Sequence, residues 1–307
     1  MLHTHCLRWL MIAAVLFMVG SKVAMADDKA SGIALALGSG GAGGLAHIAM
    51  LAEFEQRDIT PDAIAGTSIG AIIGAMYAAG LSSEEIRDLF DTFGESVLNP
   101  FSGLGNNGPG WTDLVRAELG NGGAFDQSGF LDFIGEHFEA RSFDELNIPL
   151  KVVATNYWDG SSVVFESGDL FTALKASMAV PGLFNPVKRD DQLLIDGGVS
   201  NPLPWDLLEG HDYVIAIDVT GVREPNADNE VSALDLLFKT FEVMQQSIIS
   251  EKMHNGGPDI YIKPDLNGVR LLHFDRVDAV IEQAADASDE LGKALDERLA
   301  AKSEDAQ

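Results

Sequence analysis

The chain has 307 residues, of which 46% are hydrophobic, so it is long enough to bury a sizeable core in one large domain. It carries 20 basic and 47 acidic residues, which give a formal net charge of −27. This charge argues against nucleic acid as a partner, because phosphate contacts need a basic surface, and it opposes long-range attraction to anionic lipid.

The first 26 residues have the pattern of a secretory signal peptide. An apolar run extends from Leu7 to Val19, and Ala24-Met25-Ala26 then offers an A-x-A cleavage site. The run is shorter than the ~20 residues of a membrane-spanning helix, although an uncleaved anchor is the alternative. Cleavage near Ala26 predicts a periplasmic or secreted protein with 18 basic and 47 acidic residues, a net charge of −29. The only cysteine, Cys6, lies in this segment, so we expect neither a disulfide nor a thiolate metal site.

The rest of the sequence predicts strands that alternate with helices. The predicted strands are Ile33 to Leu37, Ala63 to Ala65, a hairpin that turns at Trp158-Asp159-Gly160, Gln192 to Ile195, Tyr213 to Val219 and Asp259 to Ile262. The predicted helices are Gly44 to Arg57, Ile69 to Ala79, one capped by Ser82 or Ser83, Gln127 to Phe138, Leu170 to Met178, Val231 to Met253 and Val277 to Ala301. Glycine-rich Asn99 to Ala124 is expected to form long loops around a short helix. This alternation favours an α/β fold with a largely parallel sheet.

A glycine loop, Gly38-Ser39-Gly40-Gly41-Ala42-Gly43, follows the first predicted strand and fits the pattern G-x-G-x-x-G. A dinucleotide fold would also need an acidic residue about 20 positions further on, at the end of the second strand. Asp58 and Asp62 precede that strand instead, and no Lys-Ser/Thr follows the glycines as a P-loop requires. The remaining use of clustered amides is to stabilise an anion, as in the oxyanion hole of an acyl-transfer enzyme.

A second motif, Gly66-Thr67-Ser68-Ile69-Gly70, fits G-x-S-x-G and lies between a predicted strand and a predicted helix. That context is typical of a nucleophile elbow, in which glycines flank the serine because the sharp turn crowds any Cβ. The Ser68 hydroxyl is then presented at a helix N-terminus, where the dipole favours developing negative charge. Small residues along the helix predict that it is central and buried.

Asp196 is the candidate base, because it ends a predicted strand and is followed by two glycines. A carboxylate there can point into the crevice at the carboxyl ends of a parallel sheet, although Asp-Gly-Gly also fits an ordinary turn. A Ser-Asp-His triad would need a histidine after Asp196, and three follow it, His211, His254 and His273. An α/β-hydrolase places several strands before its elbow, however, and here only one is predicted.

We expect neither a metal nor a cofactor. The histidines and acids show no spacing typical of a metal site, although surface carboxylates leave weak Ca²⁺ binding open. His47, on the helix after the glycine loop, is expected to be a packed or capping side chain.

Three blocks, namely the glycine loop before LAHIAML, the elbow GTSIG and the segment DGGVSNPLP, resemble the patatin-like phospholipase family in sequence and order. The resemblance runs from about Ile33 to Ile262. It implies a three-layer α/β sandwich with a mostly parallel central sheet and a Ser-Asp dyad. Ser68 then matches the nucleophile and Asp196 the group that takes its proton.

The same resemblance assigns the glycine loop. Gly40 and Gly41 match the residues that supply oxyanion amides, and Gly38, Gly43 and Gly44 complete the loop. Two positions depart from the pattern of the family. Ser39 stands in place of a glycine, and Gly43 stands in place of an arginine or lysine, so the expected oxyanion site relies on backbone amides alone.

These observations predict a lipid acyl hydrolase of the phospholipase A or lysophospholipase type. Its expected partners are a phospholipid or lysophospholipid substrate and, transiently, a membrane surface. The predicted organisation is a signal peptide over residues 1–26, a patatin-like domain over 33–263 and a charged helical tail over 264–307. The alternatives are a Ser-Asp-His esterase and a lipid-binding relative with weak or no turnover.

Overall fold

Eight strands form a single mixed sheet. A computed structural model describes residues 32–95, 127–221 and 233–305. The strands are β1 (Ile33–Leu37), β2 (Ala63–Thr67), β3 (Leu150–Asn156), β4 (Ser162–Phe165), β5 (Val187–Arg189), β6 (Gln192–Asp196), β7 (Tyr213–Ile217) and β8 (Ile260–Ile262). Their order is β5-β6-β3-β2-β1-β7-β8, with β4 also paired to β3. Five neighbouring strands are parallel to one another, namely β3, β2, β1, β7 and β8. The strands β4 and β6 run antiparallel to β3.

Helices cover the sheet. They are α1 (Ala46–Glu55), α2 (Ile69–Ala78), α3 (Ser83–Glu95), α4 (Ser128–Gly135), α5 (Leu170–Ser177), α6 (Ala233–His254), α7 (Val277–Gln283) and α8 (Ala285–Asp305). No helix within the described ranges is both long enough and apolar enough to cross a bilayer. The predicted signal segment and the stretch from Asn99 to Ala124 lie outside the described residues.

The strand β1 shows why the sheet has layers on both faces. Its large residues Ile33, Leu35 and Leu37 belong to the main core, together with side chains of α1, α2 and α3. Its two alanines belong to a second core on the opposite face, with Trp205 and with Ile249 of α6. Side chains alternate between the faces of a strand, so β1, with the sequence IALAL, contributes side chains to both cores. The predicted α/β fold with a mostly parallel central sheet is confirmed.

Several boundaries differ from the prediction for physical reasons. The strand β2 continues to Thr67, two residues beyond the predicted end, because Gly66 and Thr67 are buried between neighbouring strands without a large apolar side chain to reveal it. The three-residue strand β5 was not predicted, since two of its residues are exposed and polar. The first predicted helix is preceded by a 3-10 turn over Gly41–Leu45.

In the region of the predicted tail, the helices α7 and α8 cover residues 277–305 and pack on the rest of the described chain. Leu291 and Leu295 of α8 are fully buried in the main core, and Arg57 at the end of α1 forms an ion pair with Asp296 at 2.8 Å. The described residues from 32 to 305 belong to one compact unit, which includes the helices α7 and α8. The charged residues of the tail therefore cover one exposed side of a helix whose apolar side is buried.

The helix α2 approaches β1 so closely that one position has no room for a side chain. A Cβ at Gly70 would collide with the carbonyl oxygen of Leu37 and would lie 2.6 Å from that of Gly38. All residues of α2 are buried except Tyr77, as predicted for a central helix. Backbone contact between α2 and the end of β1 brings the two glycine motifs together.

We expect Gly70→Ala to lower the free energy of unfolding by about 3 kcal/mol, because a backbone carbonyl in a central strand cannot yield to the new methyl group. Gly129→Ala in α4 is the matched control, since a Cβ there would meet no described atom within 4 Å. Alanine is the better helix former, so the control should be neutral or slightly stabilising. Urea unfolding measures both, and equal effects would contradict the close approach.

Candidate active site

The hydroxyl of Ser68 donates a hydrogen bond to the carboxylate of Asp196, with Oγ and Oδ2 2.7 Å apart. The sheet register explains the contact. Thr67 of β2 pairs with Val153, and Asp196 of β6 pairs with the next residue, Ala154. Both pairings lie on one edge of β3, because β4 takes the opposite edge along Val153 and Ala154. Because β2 and β6 run in opposite directions along this edge, Ser68, directly after β2, and Asp196, at the end of β6, meet each other.

The direction of the strand that carries Asp196 differs from the expectation. We expected its strand to end at the carboxyl edge of a parallel sheet, but β6 runs antiparallel to β3. A carboxylate reaches the site only because β6 stops at Asp196, level with Ala154, and the chain turns away through Gly197. A Cβ at Gly197 would collide with the carbonyl oxygen of Val153, so the turn depends on glycine.

The backbone of Ser68 is held in a strained conformation, with φ of 55° and ψ of −122°. A positive φ is rare outside glycine and usually marks a tight turn or a functional site. The turn has no space beside it, because a Cβ at Gly66 would lie 2.5 Å from Cα of Ala71. Both glycines of the predicted elbow thus lie at close backbone contacts, Gly66 against the start of α2 and Gly70 against the end of β1.

Ser177 holds this turn in place, and the sequence analysis assigned it no role. The amide of Ser68 donates to Ser177 Oγ at 2.8 Å, and Ser177 Oγ donates to the carbonyl oxygen of Val153 at 2.6 Å. Ser177 is fully buried at the end of α5. In the sequence, Ser177 is only a small polar residue within the segment KASMAVP. Such a residue is equally typical of a helix end that faces solvent.

The Asp196 carboxylate is fully buried, and this burial dominates its chemistry. Burial raises its pKa to about 7, although the hydrogen bonds from Ser68 and from the amide of Gly198 act in the opposite direction. The second of these bonds joins Gly198 N to Asp196 Oδ1 at 2.7 Å. Desolvation disfavours the charged form, so the carboxyl group changes its charge near neutral pH.

The glycine loop leaves two amides available. The amides of Gly38, Ser39, Ala42 and Gly43 donate to the carbonyl oxygens of Ile217, Pro202, Leu271 and Gly40, respectively. The amides of Gly40 and Gly41 have no acceptor within the described part of the chain, and both residues line the same pocket as Ser68. Gly41 has a φ of 57°, which favours glycine at this position.

His47 supports the glycine loop from behind. It is fully buried, and its Nε2 donates to the carbonyl oxygen of Gly38 at 2.9 Å. Burial lowers the pKa of His47 to about 4, outweighing its hydrogen bond to Gly38 and its attraction to Asp218. The imidazole is therefore neutral and packed. The position of Gly43, where the family carries a basic residue, is crowded here, since a Cβ would lie 2.8 Å from the carbonyl oxygen of Val219.

Neither Ser68 nor Asp196 forms a hydrogen bond with a histidine among the residues that the structure describes. The three histidines after Asp196 bond locally instead. Nδ1 of His254 donates to the carbonyl oxygen of Ser250, Nδ1 of His273 accepts from the amide of Arg270, and the amide of His211 donates to the carbonyl oxygen of Leu208. Within the described ranges no cluster of three or more His, Cys, Asp or Glu side chains is arranged to hold a metal ion.

Ser68 forms part of the wall of a mainly apolar pocket. The glycine loop and Ile69 form one side, and Gln245 and Glu242 of α6 contribute polar groups. Most of the remaining wall is aromatic or aliphatic and includes Phe130, Met178, Leu183, Phe184, Phe241 and Phe274. A long apolar group entering this pocket would have one end beside the Ser68 hydroxyl.

We expect Asp196→Asn to make the protein more stable, and more so at about pH 8 than at about pH 5. The folded state holds a proton on this carboxyl up to about pH 7, whereas the unfolded chain releases it near its usual pKa of 3.8. Between these two pKa values, the free energy of unfolding of the wild type falls by about 1.4 kcal/mol for each unit by which the pH rises.

Asp296→Asn is the control for this substitution. Its hydrogen bond with Arg57 lowers the pKa of Asp296, so its removal should have the opposite sign. Unfolding by urea across this pH range measures both variants. A stability difference between Asp196→Asn and the wild type that does not change with pH would contradict the raised pKa.

More than half of the chain matches a known family. The family model for patatin-like phospholipases matches residues 35–209, a range that contains Ser68 and Asp196. An uncharacterized NTE family protein of Mycobacterium tuberculosis is 33% identical over 207 residues, which are 64% of this chain and 54% of that protein. The patatin-like phospholipase domain-containing protein 7 of Rattus norvegicus is 29% identical over 276 residues, 81% of this chain and 20% of that protein.

The chain spans about half the length of the mycobacterial relative and a fifth of the rat protein. Among solved structures, VipD from Legionella pneumophila has a similar fold, with a TM-score of 0.51 and 14% identity over 85% of this chain and 66% of that chain. On the extent of the family match, this chain belongs to the patatin-like phospholipase family.

Proposed function

We propose that this protein is a lipid acyl hydrolase of the phospholipase A or lysophospholipase type, and that Ser68 and Asp196 act as its catalytic dyad. The observation that carries the proposal is the 2.7 Å hydrogen bond from the Ser68 hydroxyl to a buried carboxylate at the wall of an apolar pocket. A serine hydroxyl is a weak nucleophile until an adjacent base takes its proton.

In the proposed reaction, Asp196 accepts the proton of Ser68 as Oγ attacks the carbonyl carbon of a fatty-acyl ester. The amides of Gly40 and Gly41, which have no acceptor within the described residues, donate to the negative oxygen that develops. The alcohol leaves with the proton from Asp196. Water then attacks the acyl-enzyme, again through Asp196, and releases the fatty acid.

The raised pKa of Asp196 suits this role. A general base is most effective when its pKa lies near the working pH, and burial brings this carboxyl to about 7. The direct contact between Ser68 and Asp196 also favours a dyad over a Ser-Asp-His triad, in which an imidazole would lie between the two groups.

Labelling with a fluorophosphonate tests the proposal. We expect wild-type protein to be labelled on Ser68, Ser68→Ala to be unlabelled, and Asp196→Asn to react about 10²- to 10⁴-fold more slowly, the usual contribution of a general base. Ser288→Ala, which removes a buried hydroxyl of α8, should react like the wild type. Hydrolysis of lysophosphatidylcholine should fall in parallel. Undiminished labelling of Ser68→Ala would exclude Ser68 as the nucleophile.

Contact with a lipid surface is part of the same proposal, supported by exposed apolar side chains directly after β3 and on α6. The exposed residues are Tyr157 and Trp158, which follow β3, and Leu236, Leu237, Val243 and Met244 of α6. The four residues of α6 repeat at an interval of seven and so share one side of the helix, while Phe241, Glu242 and Gln245 of the same helix line the pocket. An apolar stripe beside the entrance of a pocket is typical of a lipid-docking surface.

We expect the double variant Val243→Ser, Met244→Ser to bind zwitterionic phosphatidylcholine vesicles about tenfold more weakly, because each substitution removes apolar area from the stripe. Hydrolysis of lipid in vesicles should fall, while hydrolysis of a soluble butyrate ester stays unchanged. Leu299→Ser is the control, since Leu299 is an exposed apolar residue of α8. If both variants bind vesicles like the wild type, the stripe does not dock on lipid.

Export belongs to the proposal as well and depends on residues 1–26 alone. The A-x-A site at Ala24-Met25-Ala26 predicts a periplasmic or secreted mature protein. The amino-terminal residue of the protein isolated from cells would be Asp27 if cleavage occurs there.

A further inference from the structure

Two buried polar side chains beside Asp196 have no part in the reaction described above. Ser39 is 1% exposed and Gln245 of α6 is 2% exposed. Neither Ser39 Oγ nor Gln245 Nε2 has a hydrogen-bond partner among the described residues. Leaving a buried donor unpaired costs about 1–3 kcal/mol, so two such atoms in one place indicate an occupant.

Both atoms point toward the same side of the Asp196 carboxylate. A Cβ placed on Gly198 would touch Gln245 Nε2, and it would lie 2.9 Å from Asp196 Oδ1 and 3.0 Å from Ser39 Oγ. Ser39 and Gln245 also line the pocket that contains Ser68. The three polar atoms thus surround one small region, on the carboxylate oxygen that does not bind Ser68.

The chemistry of these groups limits what can occupy the region. The amide of Gln245 offers a donor, the hydroxyl of Ser39 offers both a donor and an acceptor, and Asp196 Oδ1 offers an acceptor that also receives the amide of Gly198. An acyl chain satisfies none of them. A water molecule satisfies all three, because it accepts from Gln245 and donates to Asp196 and Ser39, and buried waters typically make about three hydrogen bonds.

We propose that Ser39 and Gln245 hold a water molecule against Asp196 Oδ1, and that this water is the one that releases the acyl group from Ser68. The inference rests on the proposed acyl hydrolase function. It gives both side chains a positioning role in the second half of the reaction, with water as the ligand of the site.

The step balances without any other reactant. The water oxygen forms a bond to the acyl carbonyl carbon while one of its protons passes to Asp196. The tetrahedral intermediate collapses, the bond between the acyl carbon and Ser68 Oγ breaks, and Ser68 takes the proton from Asp196. The products are a free fatty acid and the enzyme in its starting protonation state.

The lifetime of the acyl-enzyme tests the inference. With p-nitrophenyl butyrate as the probe, the full-length protein is quenched in acid during turnover and the fraction that carries a butyryl group is measured by mass spectrometry. We expect Ser39→Ala, Ser39→Gly and Gln245→Met each to slow deacylation about five- to tenfold, the effect of losing one hydrogen bond of ordinary strength. The acylated fraction should rise accordingly, while fluorophosphonate labelling of Ser68 stays at the wild-type rate.

The outcomes separate this inference from the function on which it rests. Ser288→Ala, a control for loss of a buried hydroxyl, should not accumulate acyl-enzyme. An acylated fraction in the Ser39 and Gln245 variants that equals that of the wild type overturns the water site. So does a parallel loss of labelling and turnover, which would indicate a structural role. A wild-type protein that is never acylated contradicts the proposed function instead.

Discussion

The arrangement of the site depends on Asp196, a fully buried carboxylate that has no cationic partner among the described residues. Asp196 is charged only at the expense of desolvation, and no salt bridge to it is found among the described residues. Within the described part of the chain its carboxylate accepts two hydrogen bonds, one from the Ser68 hydroxyl and one from the amide of Gly198. This desolvation raises the pKa of the carboxyl to about 7, and it therefore destabilises the folded protein as the pH rises from 3.8 to about 7.

Holding Ser68 against that carboxylate requires strain and close packing elsewhere. The positive φ of Ser68 is maintained by the hydroxyl of Ser177 on its amide and by glycines where the chain folds back. Backbone contact between Gly70 and the end of β1 then places the glycine loop beside the elbow. Stability in this region is therefore a property of small residues and hydrogen bonds more than of large side chains, which belong to the main core on α1, α2 and α3.

Motifs with strong local constraints were predictable from the sequence. The strand, turn and helix around Ser68 and the glycine loop follow from glycine spacing and apolar runs, and the structure has these elements within a few residues of the prediction. Asp196 was a candidate base for Ser68 because it ends a predicted strand before two glycines, and the family resemblance assigned the same pair. The antiparallel direction of β6 was not foreseen, because strand direction depends on the connection through β5, whose short polar sequence gives no signal.

The side chains that support the site from a distance could not be identified from the sequence. Ser177 and Gln245 lie 109 and 177 positions from Ser68, and each is an ordinary helix residue until the fold brings it inward. Ser39 was noticed as a departure from the family pattern, but nothing in the sequence indicates that its hydroxyl is buried with no hydrogen-bond partner among the residues that the structure describes. Long-range placement of single polar groups depends on packing, which local periodicity does not encode.

The rate at which a fluorophosphonate inactivates the wild-type protein, measured as a function of pH, tests the central claim most directly. If Asp196 is the base that activates Ser68, the second-order rate constant should rise with pH through a single titration centred at about 7, where the carboxyl ionises. The titration should disappear in Asp196→Asn. A rate that is constant from about pH 5 to pH 9, or one centred near the usual aspartate pKa of 3.9, would contradict the account.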